Sequence, residues 1–395
     1  MRGASTGWAD VTSADLAAEL QAALAAELPD AVRLRHDLHA HAEPSGAEHR
    51  TSATVAAALD AADAPVIAGT GRIVRIGPRS GPCIAVRAEL DALPVAEQTG
   101  APWASQTGAA HACGHDVHMA ALVALARAAR QVDLPAGLLA VLQPREEANP
   151  LGAPDIVASQ AFTGQHPSAV IGVHLQHQVP PGAVAATPGT VNAAADEFEI
   201  RVEGTGGHAG YPHLAADPVP VLCQTVLALQ QVVSRRTDPT HAVAVSIGIL
   251  EAGQAPNVIP GTATARGSLR ALDEADRPAM HAAVREIVDH TCRAQRCRGT
   301  VTIEEGEPAL VNDEALAAAS WPWLRAAGFA VDTSFRSCGA DDFAYYGRSV
   351  PSLMLFVGAG GPFTLHHPRF LPDDAAVGQV ASAMLAGYLA ALDRA

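Results

Sequence analysis

Four short apolar runs, residues 83–86, 138–143, 169–173 and 352–357, constrain this chain most, because each reads as a strand buried on both faces. They alternate with helical patterns at 13–28, 48–62, 116–130, 313–328 and 373–394. Alternation of this kind builds a mostly parallel α/β sheet covered by helices. The pattern changes in the middle of the chain. Residues 197–203, 242–250 and 262–269 read as strands of a half-buried sheet, with long amphipathic helices at 217–235 and 274–294 lying on one face. The expectation is a catalytic α/β domain over 1–192 and 305–395, with a smaller α+β domain inserted at 193–304.

Chemistry follows the apolar runs. His111-Ala112-Cys113-Gly114-His115-Asp116 opens a helix and sets a thiol two residues from an imidazole, a pairing that borderline-soft ions such as Zn²⁺ favour. A buried cysteine beside a capping aspartate is the plainer reading of that motif alone. The run ending at Gln143 leads into Pro144-Arg145-Glu146-Glu147, where one carboxylate can ligate a metal while the other moves a proton. An acidic pair is otherwise a solvated surface feature. The third run delivers His174 at its end, and the fourth leads through a glycine-rich turn into Leu365-His366-His367-Pro368. Open α/β sheets place their sites at such strand ends.

Together these pieces resemble the dinuclear-metal amidohydrolases that include hippurate hydrolase, bacterial N-acyl-amino-acid aminoacylases and plant auxin-conjugate hydrolases, relatives of the zinc carboxypeptidases. The resemblance runs in order over nearly the whole chain. It starts at R-H-D-L-H-A-H-A-E-P (35–44) and R-A-E-L-D-A-L-P (87–94), and passes through H-A-C-G-H-D and Q-P-R-E-E. It continues in G-T-G-G-H-A-G-Y-P-H (204–213), N-V-I-P (257–260), D-D-F (341–343) and L-H-H-P-R-F (365–370). Each motif alone is common, whereas the ordered set is specific.

The resemblance implies a zinc-exopeptidase-like catalytic domain with an inserted lid and dimerisation domain, and five metal ligands: Cys113, His115, Glu147, His174 and His366. Five ligands exceed one tetrahedral zinc and suit two divalent ions, Zn²⁺ first, with Mn²⁺, Co²⁺ or Ni²⁺ as substitutes. It also implies that Glu146 is the general base acting on a metal-bridging water, that Asp91 orients the metal ligands, and that His208 polarises the scissile carbonyl, in cis or from a neighbouring subunit. Asn257 and Arg270 would hold the polar ends of the substrate, Arg270 by gripping a carboxylate. The implied reaction is hydrolysis of an N-acyl amino acid to a carboxylate and an amino acid. A dipeptidase or carboxypeptidase on the same scaffold is the nearest alternative, and a non-catalytic binding relative the more distant one.

The chain departs from the family pattern in places. A glycine run after the two glutamates is replaced by Ala148-Asn149-Pro150-Leu151-Gly152-Ala153, Arg145 replaces a small residue, and R-A-D becomes Arg87-Ala88-Glu89. A stiffer, more polar rim beside the base is expected from the first two. The Ser-Glu-Asp-Phe of the pattern becomes Ala340-Asp341-Asp342-Phe343. His118 and His367 are the rivals of His115 and His366. His36, His39 and His41, with Trp103, Trp321 and Trp323, read as surface or packing residues.

A net charge of −15 with 26 Lys plus Arg argues against nucleic acid or an anionic membrane as partner. No run reads as long and apolar enough to span a bilayer, and the N-terminal M-R-G-A-S-T-G-W-A-D lacks a signal-peptide core. Six scattered cysteines form no disulfide framework, and a ligand thiolate needs reducing conditions. The expected setting is cytoplasmic, as a homodimer joined through the lid.

Overall fold

In the computed structural model, residues 13–394 are described. The N-terminal segment read above for a signal peptide lies outside the described residues. The chain divides into two compact units. One holds the chain up to Gly189, Val311–Phe335 and Tyr345 onward; the other holds Thr190–Leu310 and Arg336–Ala344.

The larger unit is built on a seven-stranded sheet. In spatial order its strands are Arg72–Ile76, Gly137–Gln143, Cys83–Glu89, Ala169–Gln176, Ser352–Gly358, Ala183–Ala185 and Ala330–Asp332. The three central pairings are parallel; the Arg72 and Ala183 strands each add an antiparallel pairing. The Cys83, Gly137, Ala169 and Ser352 strands are buried at every position, which is why they read as unbroken apolar runs. Helices Ser13–Ala40, His115–Ala129, Glu314–Ala326 and Ala375–Leu392 cover the sheet and share one hydrophobic core with it.

Three expectations change here. His174 does not follow its strand but lies inside it, paired with Phe356, because the strand runs on to Gln176. The Ala375–Leu392 helix is long and apolar enough to cross a membrane, with a mean hydropathy of 1.5, contrary to the reading of the sequence. Its 72% burial explains the composition, since a helix covered on nearly all sides has no wet face to keep polar. The first helix also continues past residue 28, through Pro29 to Ala40, because Ala31, Arg35, Leu38 and His39 extend its buried face.

The smaller unit is an antiparallel sheet in the order Arg298–Glu305, Ala194–Glu203, Thr262–Ala271, Val243–Ala252, with helices Pro218–Gln231 and Asp276–Ala294 packed on it. Phe198, Ile200 and Val202 alternate into its core, where Leu222, Leu229, Val284 and Val288 meet them. The Val243 strand is an edge, and its second half is exposed.

Candidate metal centre

Cys113 and His115 are aimed by the glycine between them. Gly114 has φ 89°, and a Cβ there would stand 2.8 Å from Leu175 Cδ1, so the turn into the His115 helix requires glycine. His115 is buried and its Nδ1 donates to the Asp91 backbone carbonyl at 2.8 Å. Its Nε2 is therefore the free lone pair, and it points to within 3.8 Å of Glu146 Oε2 and 3.9 Å of Glu147 Oε1. His174 repeats the device. Its Nδ1 lies 2.6 Å from the Leu175 carbonyl and its Nε2 faces Cys113 Sγ at 3.4 Å.

His366 reaches the cluster from the loop after the Ser352 strand. Its Nε2 is 3.3 Å from Glu147 Oε1, and its backbone N–H donates to the Ala112 carbonyl at 2.8 Å, tying the loop to the segment that carries Cys113. The residue has φ 67°, a left-handed conformation that a non-glycine residue adopts at a cost and that recurs at functional sites. The neighbouring His367 instead accepts the Arg369 N–H on Nδ1 and stacks on Phe363. His118 is engaged at both ring nitrogens, by Glu89 and by the Leu175 N–H. His118 thus has both ring nitrogens engaged, and His367 is engaged at Nδ1.

Asp91 supports two of these groups at once. Its backbone carbonyl holds His115, while carboxylate Oδ2 accepts from Ser45 Oγ at 2.6 Å and from the Glu147 N–H at 2.9 Å. The acid is buried, and burial raises its pKa, but hydrogen bonding and charge at His115 and the bonds from Ser45 and Glu147 outweigh that and hold it below the usual range.

The donor set fits divalent cations. Cys113, His115 and Glu147 present sulfur, nitrogen and oxygen atoms all within 4.8 Å of one another. His115 Nε2 and Glu147 Oε1 are buried without a hydrogen-bond partner, as is Asp91 Oδ1, a pattern proteins rarely tolerate without an ion or water to satisfy it. The electrostatics agree. Burial first, and then the charges of Glu147 and Glu146, push the Cys113 thiol well above its ordinary pKa. A cation placed among these carboxylates reverses that balance and makes the thiolate the stable form.

In the smaller unit, His208 and Asn257 come together on a two-stranded ribbon: Val258 pairs with His208, and the Ala209 N–H donates to the Asn257 carbonyl at 3.1 Å. His208 Nδ1 accepts the Gly210 N–H at 2.9 Å, which leaves the ring proton on Nε2, exposed to solvent. Arg270 is not with them. It lies near the opposite end of the Thr262–Ala271 strand, eight residues from Thr262, across from Ala195 and Ala244.

Two further features were not anticipated. Arg145 sits at φ 53° with its guanidinium tied to Asp155 and to the Ala68 carbonyl, so it braces the loop rather than adding a polar rim to the base. Gly152 lets that loop close, since a Cβ there would meet the Pro144 carbonyl oxygen at 1.8 Å. His39, read as a surface or packing residue, is a buried polar anchor between Asp116 and Glu97, each 3.0 Å away. The signal was present in the sequence: Arg35 and His39 lie four apart, on the face that buries Ala31 and Leu38.

A largely buried cluster of thiol, imidazole and carboxylate groups toward the carboxyl ends of the central strands of a largely parallel α/β sheet is the constellation of a metal-dependent hydrolase. The chain belongs to the peptidase family M20/M25/M40, whose family model matches residues 85–388. It is 34% identical over 353 residues to the N-acetyl-L-cysteine deacetylase of Bacillus subtilis, covering 88% of this chain and 84% of that protein. It is 30% identical over 369 residues to the N-acetyldiaminopimelate deacetylase of the same organism, covering 92% and 98% respectively. A solved dinuclear metal-binding peptidase of the M20 family from B. subtilis superposes with a TM-score of 0.79 at 29% identity, over 93% of this chain and 99% of that one. The chain is a hydrolase acting on amide bonds, with the amidohydrolase or deacetylase activity of this family.

Proposed function

We propose that this enzyme hydrolyses the amide of a small N-acyl amino acid, with Cys113, His115, Glu147, His174 and His366 holding two divalent ions and Glu146 acting as general base. The observation that carries this reading is the approach of the Glu146 carboxylate to the same His115 Nε2 that Glu147 faces, at 3.8 Å and 3.9 Å. The closeness of both carboxylates to one imidazole nitrogen supports a pair in which one holds an ion and the other moves a proton beside it. The ions, Zn²⁺ by the donor types, would polarise the scissile carbonyl and acidify the attacking water. Glu146 takes the proton of that water and returns it to the departing amine. His208 offers its Nε2–H to the developing oxyanion, for which its tautomer is already set by Gly210. Arg270 grips the free carboxylate with its planar fork, and Asn257 binds a second polar end of the substrate.

Two features support a homodimer joined through the smaller unit. The edge strand Val243–Ala252 leaves ladder groups unpaired and exposes Ile249 and Leu250, and the nearby Pro218 helix exposes Leu227. Arg270 lies eight residues, about 26 Å at 3.3 Å per residue, along its strand from Thr262, and His208 pairs with Val258, before that strand begins. That spacing supports a site in which the His208 and Arg270 that meet on one substrate come from different chains. The free cysteines, with the proposed ligand thiolate among them, support a reducing compartment such as the cytoplasm.

Assay of the zinc- or manganese-reconstituted protein on N-acetyl, N-benzoyl and long-chain acyl amino acids, with dipeptides alongside, tests the reading. Turnover of acyl amino acids above dipeptides is expected, with N-acetyl substrates placed first because two relatives carry that name. Preference for dipeptides, or no turnover of any member, rejects it.

A further inference from the structure

Glu89 and His118 are fully buried, and neither has a part in the reaction described above. His118 Nε2 accepts the Leu175 backbone N–H at 3.1 Å. An N–H can only donate, so the proton of the neutral ring sits on Nδ1 and is given to Glu89 Oε2 at 2.9 Å. His118 therefore has no lone pair left for a cation, although Glu89, His115, His118 and His174 offer ligand atoms within 4.8 Å of one another.

Glu89 is itself held from behind. Arg87 pairs with its other carboxylate oxygen, Arg87 Nε donates to Gln143 Oε1 at 2.9 Å, and the Tyr346 hydroxyl donates to the same oxygen at 3.0 Å. Toward the metal centre the series continues through Leu175. Its N–H is the group His118 accepts, and its carbonyl faces His174 Nδ1, which leaves His174 Nε2 directed at Cys113 Sγ. The His118 and His174 rings pack edge to face at 4.7 Å. A hydrogen-bonded path thus runs from the centre of the sheet to one proposed metal ligand.

We propose that the Glu89–His118 pair is a positioning device that fixes Leu175, and through it the direction in which His174 presents Nε2 to the metal. Glu89, where the resembled pattern has an aspartate, gains a purpose on this account: its extra methylene carries the carboxylate to His118 while Arg87 keeps hold of it. The proposal rests on the reading of this cluster as a metal centre. Groups that orient a metal ligand change metal affinity by about 10- to 100-fold when removed.

The test compares wild type, His118→Leu, His118→Gln and Glu89→Asp, each stripped by chelator and titrated with Zn²⁺ against a chromophoric competitor, and with Co²⁺ to record the ligand-field spectrum. His118→Leu is expected to bind one ion about 10- to 100-fold more weakly and to alter the Co²⁺ spectrum. His118→Gln can accept from Leu175 with its amide oxygen and donate to Glu89 with its amide nitrogen, so it should restore most of the affinity. Glu89→Asp should fall between wild type and His118→Leu. Wild-type affinity in a folded His118→Leu, or no recovery in His118→Gln, overturns the proposal. Should His118→Leu fail to fold, the Glu89→Asp and His118→Gln pair decides it, and wild-type affinity in Glu89→Asp overturns it. A wild type that takes up no ions overturns the metal reading itself, and this proposal with it.

Discussion

Glu146 and Glu147 are neighbours in sequence to which the structure gives different surroundings. The Glu147 backbone is pinned by Asp91, and its carboxylate faces both His115 and His366. Exchange of its charge for an amide removes an anionic ligand, so Glu147→Gln should lose metal and activity together. Glu146→Gln should keep both ions, measured by elemental analysis, while kcat falls by about 10²- to 10⁴-fold, the usual worth of a positioned acid-base group. Equal metal loss in both variants, or an active Glu146→Gln, would reverse or remove the assignment. Cys113→Ala should lose metal with activity, because no other residue of its loop supplies a soft ligand. The local pattern showed Cys113-Gly114-His115 and the glutamate pair because their spacing is set by one turn. It could not show that Asp91 holds His115 through its backbone carbonyl across 24 residues, or that His118 is engaged by a backbone N–H 57 residues away. Such pairings depend on the sheet order, which no local pattern encodes.

At the scale of elements, runs buried at every position were readable from their uniform apolar signature, and the half-buried strands at 197–203, 242–250 and 262–269 were readable as well. The Arg298–Glu305 strand passed unnoticed because its partly buried Val301 and Ile303 alternate with exposed polar residues and form no run. The pattern of the first helix was read only to Leu28, and its second half is secured by polar groups instead. Arg35 and His39 both reach Asp116 on the His115 helix, joining the two helices through a buried ionic cluster that also includes Glu97. Burial lowers the His39 pKa, but the charges and hydrogen bonds of Asp116 and Glu97 outweigh it and raise it from 6.5 to about 9. A group whose folded pKa lies above its unfolded value contributes stability that is complete below the unfolded value and lost as pH rises through the folded one. Wild type should therefore lose on the order of 3 kcal/mol relative to His39→Gln between pH 6.5 and 9.5, by denaturant unfolding of the metal-free protein. Parallel stability curves for the two proteins over that range would show that His39 is neutral in the fold.

At the scale of the whole molecule, the separation of Arg270 from His208 becomes a statement about assembly. If each grips a different part of one small substrate, a complete site draws on two chains, and the consequences are measurable without a complex structure. Arg270→Ala should penalise free-acid substrates while leaving the matching amide or ester little changed, since only the acid presents a charge to the guanidinium. His208→Ala should lower kcat by roughly 10²-fold with metal content intact, as for the loss of an oxyanion donor. The decisive experiment mixes His208→Ala chains, whose Glu146 is intact, with Glu146→Gln chains, whose His208 is intact. When His208 acts across the dimer, a mixed dimer holds one complete site, made of Glu146 from the first chain and His208 from the second. Random exchange at equal concentrations makes half the dimers mixed, each with one of two sites restored, so about a quarter of wild-type activity should return. When each chain completes its own site, every site in every dimer lacks one group, and mixing restores nothing. Recovery near a quarter, in samples where mass spectrometry confirms mixed dimers, would therefore establish the shared site. None in such samples would place His208 and Glu146 of one chain on the same substrate, and would require Arg270 to act on something else.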